Sequence, residues 1–419
     1  MSCAAFELTP VQTGHPTGRE RAVAALSPLS DELALVAACD LAGDEELLRR
    51  LAAARQSSFD WDRFAFLARG NAMAGLVAAR LDRVAPDVAP ERVAALLRAE
   101  LQANAVVQLA QTAAAARLSH SLAAAGVRSI VLKGMALSHM LYPADPHWRS
   151  SGDIDILIDQ ADLAAAGRVM AGEGYRRLWP ETGMPPMGQD MFLLLANVFD
   201  YASPVSGQLV ELHHRITLNP AWMPGGFDEL HAASAEIGTA RGAIRGLDGP
   251  HLVSYLCWHA FAHFGFRLKW FCDIVRALRR AGAGSCAALC PAGEGFAQGP
   301  LALADALIGA ILPAIEGKRA MAAPDAWRGD ANRILADMER PANLPTARSL
   351  ALLPGELAFR LFLMRLSPGW RGKGYELLRA TSDPRDVAVL GLGKRYAALY
   401  ALAGPFLAIR RFLLARGGG

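Results

Sequence analysis

Apolar residues recur at the spacing of a helix along most of the chain, and only one middle section departs from it. From Ser30 the pattern is helical, and no proline follows Pro90 until the period changes. A Ser that precedes an apolar run with an early acidic residue is a typical helix start. The pattern predicts helical regions at residues 30–125 and 250–419. It also predicts a flexible N-terminus at residues 1–29, where Pro and Gly interrupt the period.

The middle section, residues 126–249, has the composition of strands and short helices. Predicted strands lie at residues 127–132, 153–158, 175–179 and 208–216, and predicted helices lie at residues 134–141 and 160–173. The stretch Pro180–Gln189 is rich in Pro, Gly and Met, and we hypothesise that it is a loop that closes over a substrate. The fold class that follows is α+β and mostly helical, with a small mixed-sheet core flanked by two helical regions.

Two aspartates stand two residues apart in the otherwise apolar run Asp153-Ile154-Asp155-Ile156-Leu157-Ile158. Residues i and i+2 of a strand share a face, so both carboxylates point to the same side. Close carboxylates repel each other unless a cation lies between them. Mg²⁺ is the simplest such cation, and a Mg²⁺ site of this kind is used in phosphoryl and nucleotidyl transfer. Asp153 and Asp155 are therefore predicted metal ligands and catalytic residues. The alternative is a strand edge with solvated carboxylates.

A third acidic residue, Glu211, lies in a segment that alternates apolar and polar residues, Gln208-Leu209-Val210-Glu211-Leu212-His213. Nucleotidyl transfer with two metal ions needs a third carboxylate from a neighbouring strand. This carboxylate can also deprotonate the attacking hydroxyl. Glu211 is the predicted third ligand; the alternative is an exposed glutamate on an edge strand. His213 shares its face, and either contacts a phosphate or base of the substrate or is a hydrogen-bonded spectator.

Lys133 and Gly134 end the first predicted strand and begin a helix. A helix N-terminus with a lysine beside it is suited to bind a triphosphate, since its N–H groups and the lysine both attract anions. The alternative is a solvated lysine at the end of a strand. Both residues are predicted to bind the nucleotide.

The loop before Asp153 contains Arg149, Ser151 and Gly152. A flexible Ser-Gly loop allows a phosphate to approach the backbone closely. Arg149 is predicted either to bind a phosphate with two hydrogen bonds or to pair with Asp145 or Asp153. All three loop residues are predicted to contribute to nucleotide binding.

His259 and His263 lie four residues apart and so share a helix face. The residue after His259 is Ala rather than the Glu of zinc metalloproteases. Aromatic residues surround both histidines, which favours packed or hydrogen-bonded rings over metal ligands.

Bulk properties exclude several classes of protein. A net charge of +3 over 419 residues gives no general nucleic-acid footprint. The 6 cysteines form no CxxC pair, which indicates a reducing compartment, and we expect a cytoplasmic protein. The N-terminus lacks a secretory apolar segment, and no apolar run reaches the roughly 18 residues of a membrane span. The basic segment Lys394–Arg416 either forms core helices with a basic exposed end or makes a weak contact with a membrane surface.

The combined order of these motifs resembles the uncharacterised bacterial nucleotidyltransferase family of the polymerase-β-like superfamily. The resemblance rests on Phe59-Asp60-Trp61, Leu132-Lys133-Gly134, Tyr142-Pro143, Arg149, Asp153-Ile154-Asp155-Ile156-Leu157, Glu211-Leu212-His213, His259, His263, Trp270, Asp273, Asp386 and Gly404-Pro405. It implies a polymerase-β-like nucleotidyltransferase core at residues 126–249. One departure is that the wider superfamily has a Gly-Ser pair where this chain has Gly134-Met135.

The activity expected is therefore transfer of a nucleoside monophosphate from an NTP, such as ATP, with release of pyrophosphate. Two Mg²⁺ ions held by Asp153, Asp155 and Glu211 are expected to assist, and Lys133 and Arg149 to neutralise the phosphates. The expected acceptor is a hydroxyl of a small molecule, a peptide or a protein. Two alternatives stay open: a catalytically degenerate nucleotide-binding regulator, and a toxin-like modifier of proteins or tRNA.

Overall fold

A computed structural model describes residues 26–56, 58–180, 188–318, 321, 323–341 and 354–416. Within these residues the fold is α+β and mostly helical, with a seven-stranded mixed sheet. The predicted fold class is therefore confirmed. Residues 1–25 of the predicted flexible N-terminus and residues 181–187 of the predicted closing loop lie outside the described part of the chain. The division of the chain into domains stays a prediction.

The described chain before the sheet is helical. Its helices are α1 (Asp31–Leu41), α2 (Asp44–Gln56), α3 (Trp61–Gly70), α4 (Ala74–Val84) and α5 (Glu91–Ala124). The capping signals in the sequence are used as expected. The side chain of Ser30 accepts a hydrogen bond from the Leu33 N–H, and that of Asp60 accepts one from the Arg63 N–H.

The middle section alternates strands and short helices. In chain order its elements are β1 (Ser129–Val131), α6 (Met135–Leu141), β2 (Ile154–Ile158), α7 (Leu163–Gly172), β3 (Arg176–Trp179), α8 (Gln189–Leu195), β4 (Val198–Ala202), β5 (Leu209–His213), α9 (Phe227–Ala232), β6 (Ser234–Thr239) and β7 (Gly242–Leu247). Strands β4, β6 and β7 were not among the predicted elements. Strands β6 and β7 each contain only one or two β-branched residues among Gly, Ala and polar residues, so their strand signal is weak.

Helices follow the sheet. They are α10 (Gly249–Ala262), α11 (Leu268–Ala281), α12 (Cys286–Leu289), α13 (Gln298–Ile315), α14 (Asp325–Met338), α15 (Pro354–Leu366), α16 (Gly369–Thr381), α17 (Val387–Leu390) and α18 (Ala397–Arg416). The break between α10 and α11 lies at Phe264 and Gly265, which both have positive φ angles (63° and 68°). The backbone reverses there, and His263 is left at the bend.

The sheet has the strand order β3-β4-β5-β2-β1-β7-β6. Strand β2 pairs with β1 in antiparallel and with β5 in parallel orientation. Strand β1 also pairs with β7 in parallel, and the outer pairs β3–β4, β4–β5 and β6–β7 are antiparallel. The strand that carries the two aspartates therefore lies in the middle of a mixed sheet, where neighbours on both sides fix its register.

A continuous hydrophobic core joins the sheet to helices that precede it in the chain, such as α1, and to helices that follow it, such as α13. Among the described residues, α13 alone is long and apolar enough to cross a membrane, which differs from the expectation that no stretch reaches that length. Its apolar run is interrupted by Asp305. Of the candidate span, 61% is buried inside the protein, as in a core helix, so it is weak evidence of a membrane span.

Candidate active site

Three acidic side chains lie side by side on neighbouring strands at the centre of the sheet. Asp155 of β2 is the direct partner of Glu211 in β5, and Glu211 is the direct partner of Asp200 in β4. Residues directly opposite each other in paired strands place their side chains on the same face. The strand pairing thus brings together acids from two separate sequence motifs. It also adds Asp200, which the sequence reasoning missed because the β4 segment was not recognised as a strand.

Two basic side chains connect these acids. The Nζ atom of Lys133 lies 3.0 Å from Oδ1 of Asp155 and 3.6 Å from Oδ2 of Asp153. The Nε2 atom of His213 lies 3.3 Å from Oδ1 of Asp155 and 3.3 Å from Oε2 of Glu211. We call these five residues, together with Asp200, the acidic cluster. Every residue predicted from the strand motifs to act as a metal ligand belongs to it.

Asp155 is the residue whose environment most favours a bound cation. Its side chain has 0% exposure, and its Oδ2 atom has no hydrogen-bond partner. A buried carboxylate oxygen without a partner is costly, because it has lost its hydration. Glu211 and Asp153 remain 36% and 29% exposed, so the cluster is open to solvent on one side. A divalent cation that reached Asp155 from that side would satisfy the unpaired oxygen.

The donor set fits a hard divalent cation. Ligand atoms of Asp155, Glu211 and His213 all lie within 4.8 Å of one another. Carboxylate oxygens suit Mg²⁺, whereas an imidazole suits Zn²⁺ or Mn²⁺ better. His213 already contacts both carboxylates, so we treat it as their hydrogen-bond partner. The amide of Asn197 contacts the other ring nitrogen at 3.3 Å and orients the imidazole.

Burial and the charges within the cluster shift the pKa values of its members in different directions. Burial opposes ionisation of Glu211, but the hydrogen bond and charge of His213 together with the charge of Lys133 outweigh burial and lower the pKa of that carboxyl. Burial likewise opposes the charged form of His213, yet Asp155 and Glu211 raise its pKa. Burial and then the charge of Glu211 raise the pKa of Asp200 to about 6. The cluster contains four carboxyl groups against one lysine and one histidine, and this excess of acidic groups also favours a cation.

The loop that leads into β2 is held by helix α11. The Nε and Nη2 atoms of Arg149 each lie 2.9 Å from an oxygen of Asp273, and both side chains are buried. Lys269 donates a hydrogen bond from Nζ to the carbonyl oxygen of Ser150 at 2.9 Å. The expected phosphate contact of Arg149 is not supported, because its guanidinium faces an acid in the interior rather than the open side of the cluster. We therefore remove Arg149 from the proposed phosphate-binding residues.

Gly134 and Ser151 bring the end of β1 and the loop before β2 into close contact. Gly134 has a φ of +61°, and a Cβ added there would lie 2.9 Å from the Ser151 Oγ atom. The hydroxyl of Ser151 itself donates to the carbonyl oxygen of Asp153 at 3.2 Å. A Cβ at Gly152 would meet nothing within 4 Å, so that glycine is not required by close packing. The contact of Gly134, Ser151 and Gly152 with a nucleotide stays a prediction.

Rings of α10 and α11 form a second group near the acidic cluster. The rings of His259 and His263 are 4.7 Å apart, and both lie near Trp270, at 5.6 and 5.8 Å. The charges that act on His263 include those of Lys133 and Glu211. Neither histidine belongs to the metal-compatible group found among the described residues. This arrangement agrees with the expectation of packed rings.

A surface groove of about 830 Å³ lies elsewhere, between α5 and the β6–β7 hairpin. It is lined by basic residues including Arg117, Arg128 and Arg245, and it contains no residue of the acidic cluster. Two of these arginines already pair with acids, Arg117 with Glu173 and Arg128 with Asp228. The chemistry therefore points to the acidic cluster, not to this groove, as the candidate active site.

Comparison with known proteins gives a family match. A family model described as "Uncharacterised nucleotidyltransferase" matches residues 57–289, which is more than half of the chain and includes every residue of the acidic cluster. Searches of curated proteins and of solved structures gave no match. The matched region extends from the end of α2 to the end of α12.

Proposed function

The chain belongs to the uncharacterised nucleotidyltransferase family, and from that membership we propose that it transfers a nucleoside monophosphate from an NTP to a hydroxyl acceptor. The acceptor we propose is a small molecule, a peptide or a protein. The near-neutral net charge of +3 supports this choice over a nucleic acid. The family resemblance seen in the motifs is confirmed by the match, whereas the acceptor and the metal belong to the proposal.

One observation carries the proposal: the unpaired, buried Oδ2 atom of Asp155 within a group of acids from three paired strands. Two motifs more than fifty residues apart converge there, since Asp155 and His213 are separated by 58 positions. Such a cluster is unfavourable in an apolar sheet unless it serves a charged ligand. A nucleoside triphosphate with divalent cations is the ligand that this donor set and the family both favour.

The proposed reaction is an in-line displacement at the α-phosphorus. The acceptor oxygen bonds to that phosphorus, the bond from the α-phosphorus to the oxygen bridging the β-phosphate breaks, and pyrophosphate leaves. Asp153, Asp155 and Glu211 would hold two Mg²⁺ ions, which when bound supply charge neutralisation of the phosphates. Lys133, which contacts both Asp153 and Asp155, would move its ammonium from these carboxylates to a phosphate oxygen.

The acceptor proton passes to a carboxylate of the cluster. Glu211 is the candidate from the sequence, and it lies at the open side. Asp200 is a second candidate because it is the direct neighbour of Glu211 and its pKa of about 6 is nearer to neutral. An Asp200→Asn variant that loses the acidic limb of the pH–rate profile would assign the proton to Asp200.

A second candidate function rests on the same geometry. Lys133 and His213 already neutralise part of the charge of Asp155 and Glu211 from within the chain. A site neutralised in this way suits a protein that binds a nucleotide without turning it over. This regulator would bind NTP with the same residues but would release no pyrophosphate.

The experiment that separates the two is pyrophosphate release with labelled ATP, CTP, GTP and UTP in Mg²⁺, with cell extract as the source of acceptor. Wild type should release pyrophosphate, and Asp155→Asn should lose the release because it removes the central charge. Asp159→Asn is the matched control, since Asp159 follows the same strand but only caps a turn through the Ala161 N–H.

Nucleotide binding without release in wild type would favour the regulator. Equal release by wild type and Asp155→Asn would contradict the proposed enzyme. A direct titration with Mn²⁺ provides a readout that does not depend on turnover: wild type and Asp159→Asn should bind the ion, and Asp155→Asn should not.

A further inference from the structure

Helix α18 presents an apolar face to solvent. This face, which we call the apolar stripe, consists of Leu399, Leu402, Phe406 and Ile409. Their exposed fractions are 47%, 71%, 75% and 58%. They recur at intervals of three and four, so they lie on one side of the helix. The other side is buried against the protein at Tyr400 and Leu407. The helix is therefore anchored by one apolar face and leaves a second one without a partner in the described chain.

The neighbouring helix α16 continues this exposed apolar character. It presents Trp370 and Leu377, which are 79% and 56% exposed and lie two turns apart on one face. Helices α16 and α18 are in close contact, because a Cβ added at Gly404 would overlap the carbonyl group of Thr381. Exposed aliphatic and aromatic residues at this density mark a surface for a partner rather than scattered surface residues.

Basic residues accompany the apolar stripe. Residues 360–419 contain eleven Lys and Arg against three Asp and Glu, a balance of +8, whereas the whole chain is only +3. The remaining residues are thus net acidic. Lys394 and Arg395 lie in the short turn before α18, Arg410 follows Ile409, and all three are exposed. The positive charge of this protein is concentrated at the end that carries the apolar stripe.

We propose that the apolar stripe binds an anionic membrane surface, with α18 lying in the plane of the lipid head groups. An amphipathic helix with aliphatic and aromatic residues on one face and basic residues beside them is suited to this position. Anionic lipids complement the charge, and each basic residue near the surface adds to the attraction. A second copy of the chain would bring two positive surfaces together, so self-association through the stripe is disfavoured. The inference does not depend on the proposed catalytic function.

Vesicle co-sedimentation of the full chain tests this proposal. Vesicles of phosphatidylcholine with about 30% phosphatidylserine should sediment the protein, and vesicles of pure phosphatidylcholine should sediment much less of it. Raising the salt concentration from about 0.05 to about 0.5 M should weaken the binding, because the attraction is partly electrostatic.

Two variants separate the apolar and the charge contributions. Leu402→Ser with Phe406→Ser should lower the partition coefficient about tenfold or more, since both side chains would lose their lipid contact. Arg395→Glu with Arg410→Glu should lower binding to the anionic vesicles and leave the weak binding to neutral vesicles unchanged. The matched control is Val106→Ser with Leu109→Ser on α5, two residues that are 69% and 62% exposed but lie outside the basic region.

Each outcome decides the proposal. Because the changed residues are exposed, all variants should elute and melt like wild type, and binding can be compared directly. Loss of binding in the stripe variant with binding kept in the α5 variant supports the proposal. Equal sedimentation of wild type and the stripe variant would overturn it. A wild-type dimer without lipid that the stripe variant abolishes would overturn it too, since a second copy would then cover the stripe.

Discussion

Replacement of Asp273 by asparagine tests whether the buried ion pair with Arg149 holds the loop before β2. In the wild type two hydrogen bonds of 2.9 Å join the two side chains, whose exposures are 0% for Asp273 and 5% for Arg149. The asparagine keeps the shape of the side chain but removes its charge. The guanidinium of Arg149 is then left in the interior without a counter-ion, and its Nη1 retains only a 3.3 Å contact with the Gly134 carbonyl.

The magnitude follows from the cost of an unpaired buried charge. Removal of one partner of a buried ion pair costs about 3–5 kcal/mol, whereas replacement of both partners by apolar residues is often close to neutral. The Asp273→Asn variant should therefore lose about 3–5 kcal/mol of unfolding free energy. The double variant Arg149→Met with Asp273→Leu should recover most of that loss.

Urea denaturation followed by tryptophan fluorescence measures both free energies. The control is Asp82→Asn, which breaks an exposed pair: Asp82 and Arg98 are in contact at 2.8 Å but are 40% and 37% exposed. That change should cost at most about 1 kcal/mol. A loss in Asp273→Asn no larger than in the control would refute the reasoning, and so would a double variant as unstable as the sum of its single changes.

Three further predictions concern the surroundings of the acidic cluster. Gly134→Ala should lower the unfolding free energy by about 1–3 kcal/mol in the same urea assay, because φ is +61° and the new Cβ would meet the Ser151 Oγ atom. An unchanged urea midpoint would show that the loop adapts to the new side chain. Burial, with the charge of Arg149, lowers the pKa of Lys269 to about 7. Since this lysine binds fewer protons in the folded than in the unfolded chain above about pH 7, the stability of wild type relative to Lys269→Met should rise from there towards pH 10, and the same pH dependence in both proteins would contradict this shift. Mg²⁺ should raise the thermal midpoint of wild type and not of Asp155→Asn, and equal shifts would argue against binding at the cluster.

Local pattern was sufficient for the central strand and its chemistry. The alternation of Asp153, Ile154, Asp155 and Ile156 indicates a strand with acids on one face and aliphatic residues on the other, and β2 is the strand found there. The reason is geometric: the period of a strand is two, so the face of each side chain can be read without knowledge of its neighbours. The helices before residue 126 follow from the same logic with a period of 3.6 and from their capping residues.

The tertiary structure decided which residues that are far apart in the sequence contact each other. Only the parallel pairing of β2 with β5 places Asp155 opposite Glu211, and only the recognition of β4 adds Asp200. Arg149 shows the limit of local reasoning most clearly. Its nearest acids in sequence are on its own loop, yet its partner Asp273 is 124 residues away.

The sequence thus determined which residues of this protein can carry charge and on which face of an element each one stands, because those properties depend on covalent order and backbone period. The tertiary structure decided which of these charges meet and which are buried. Strand register and helix docking depend on the packing of the whole core, in which distant segments compete for the same contacts, and no local window contains that information.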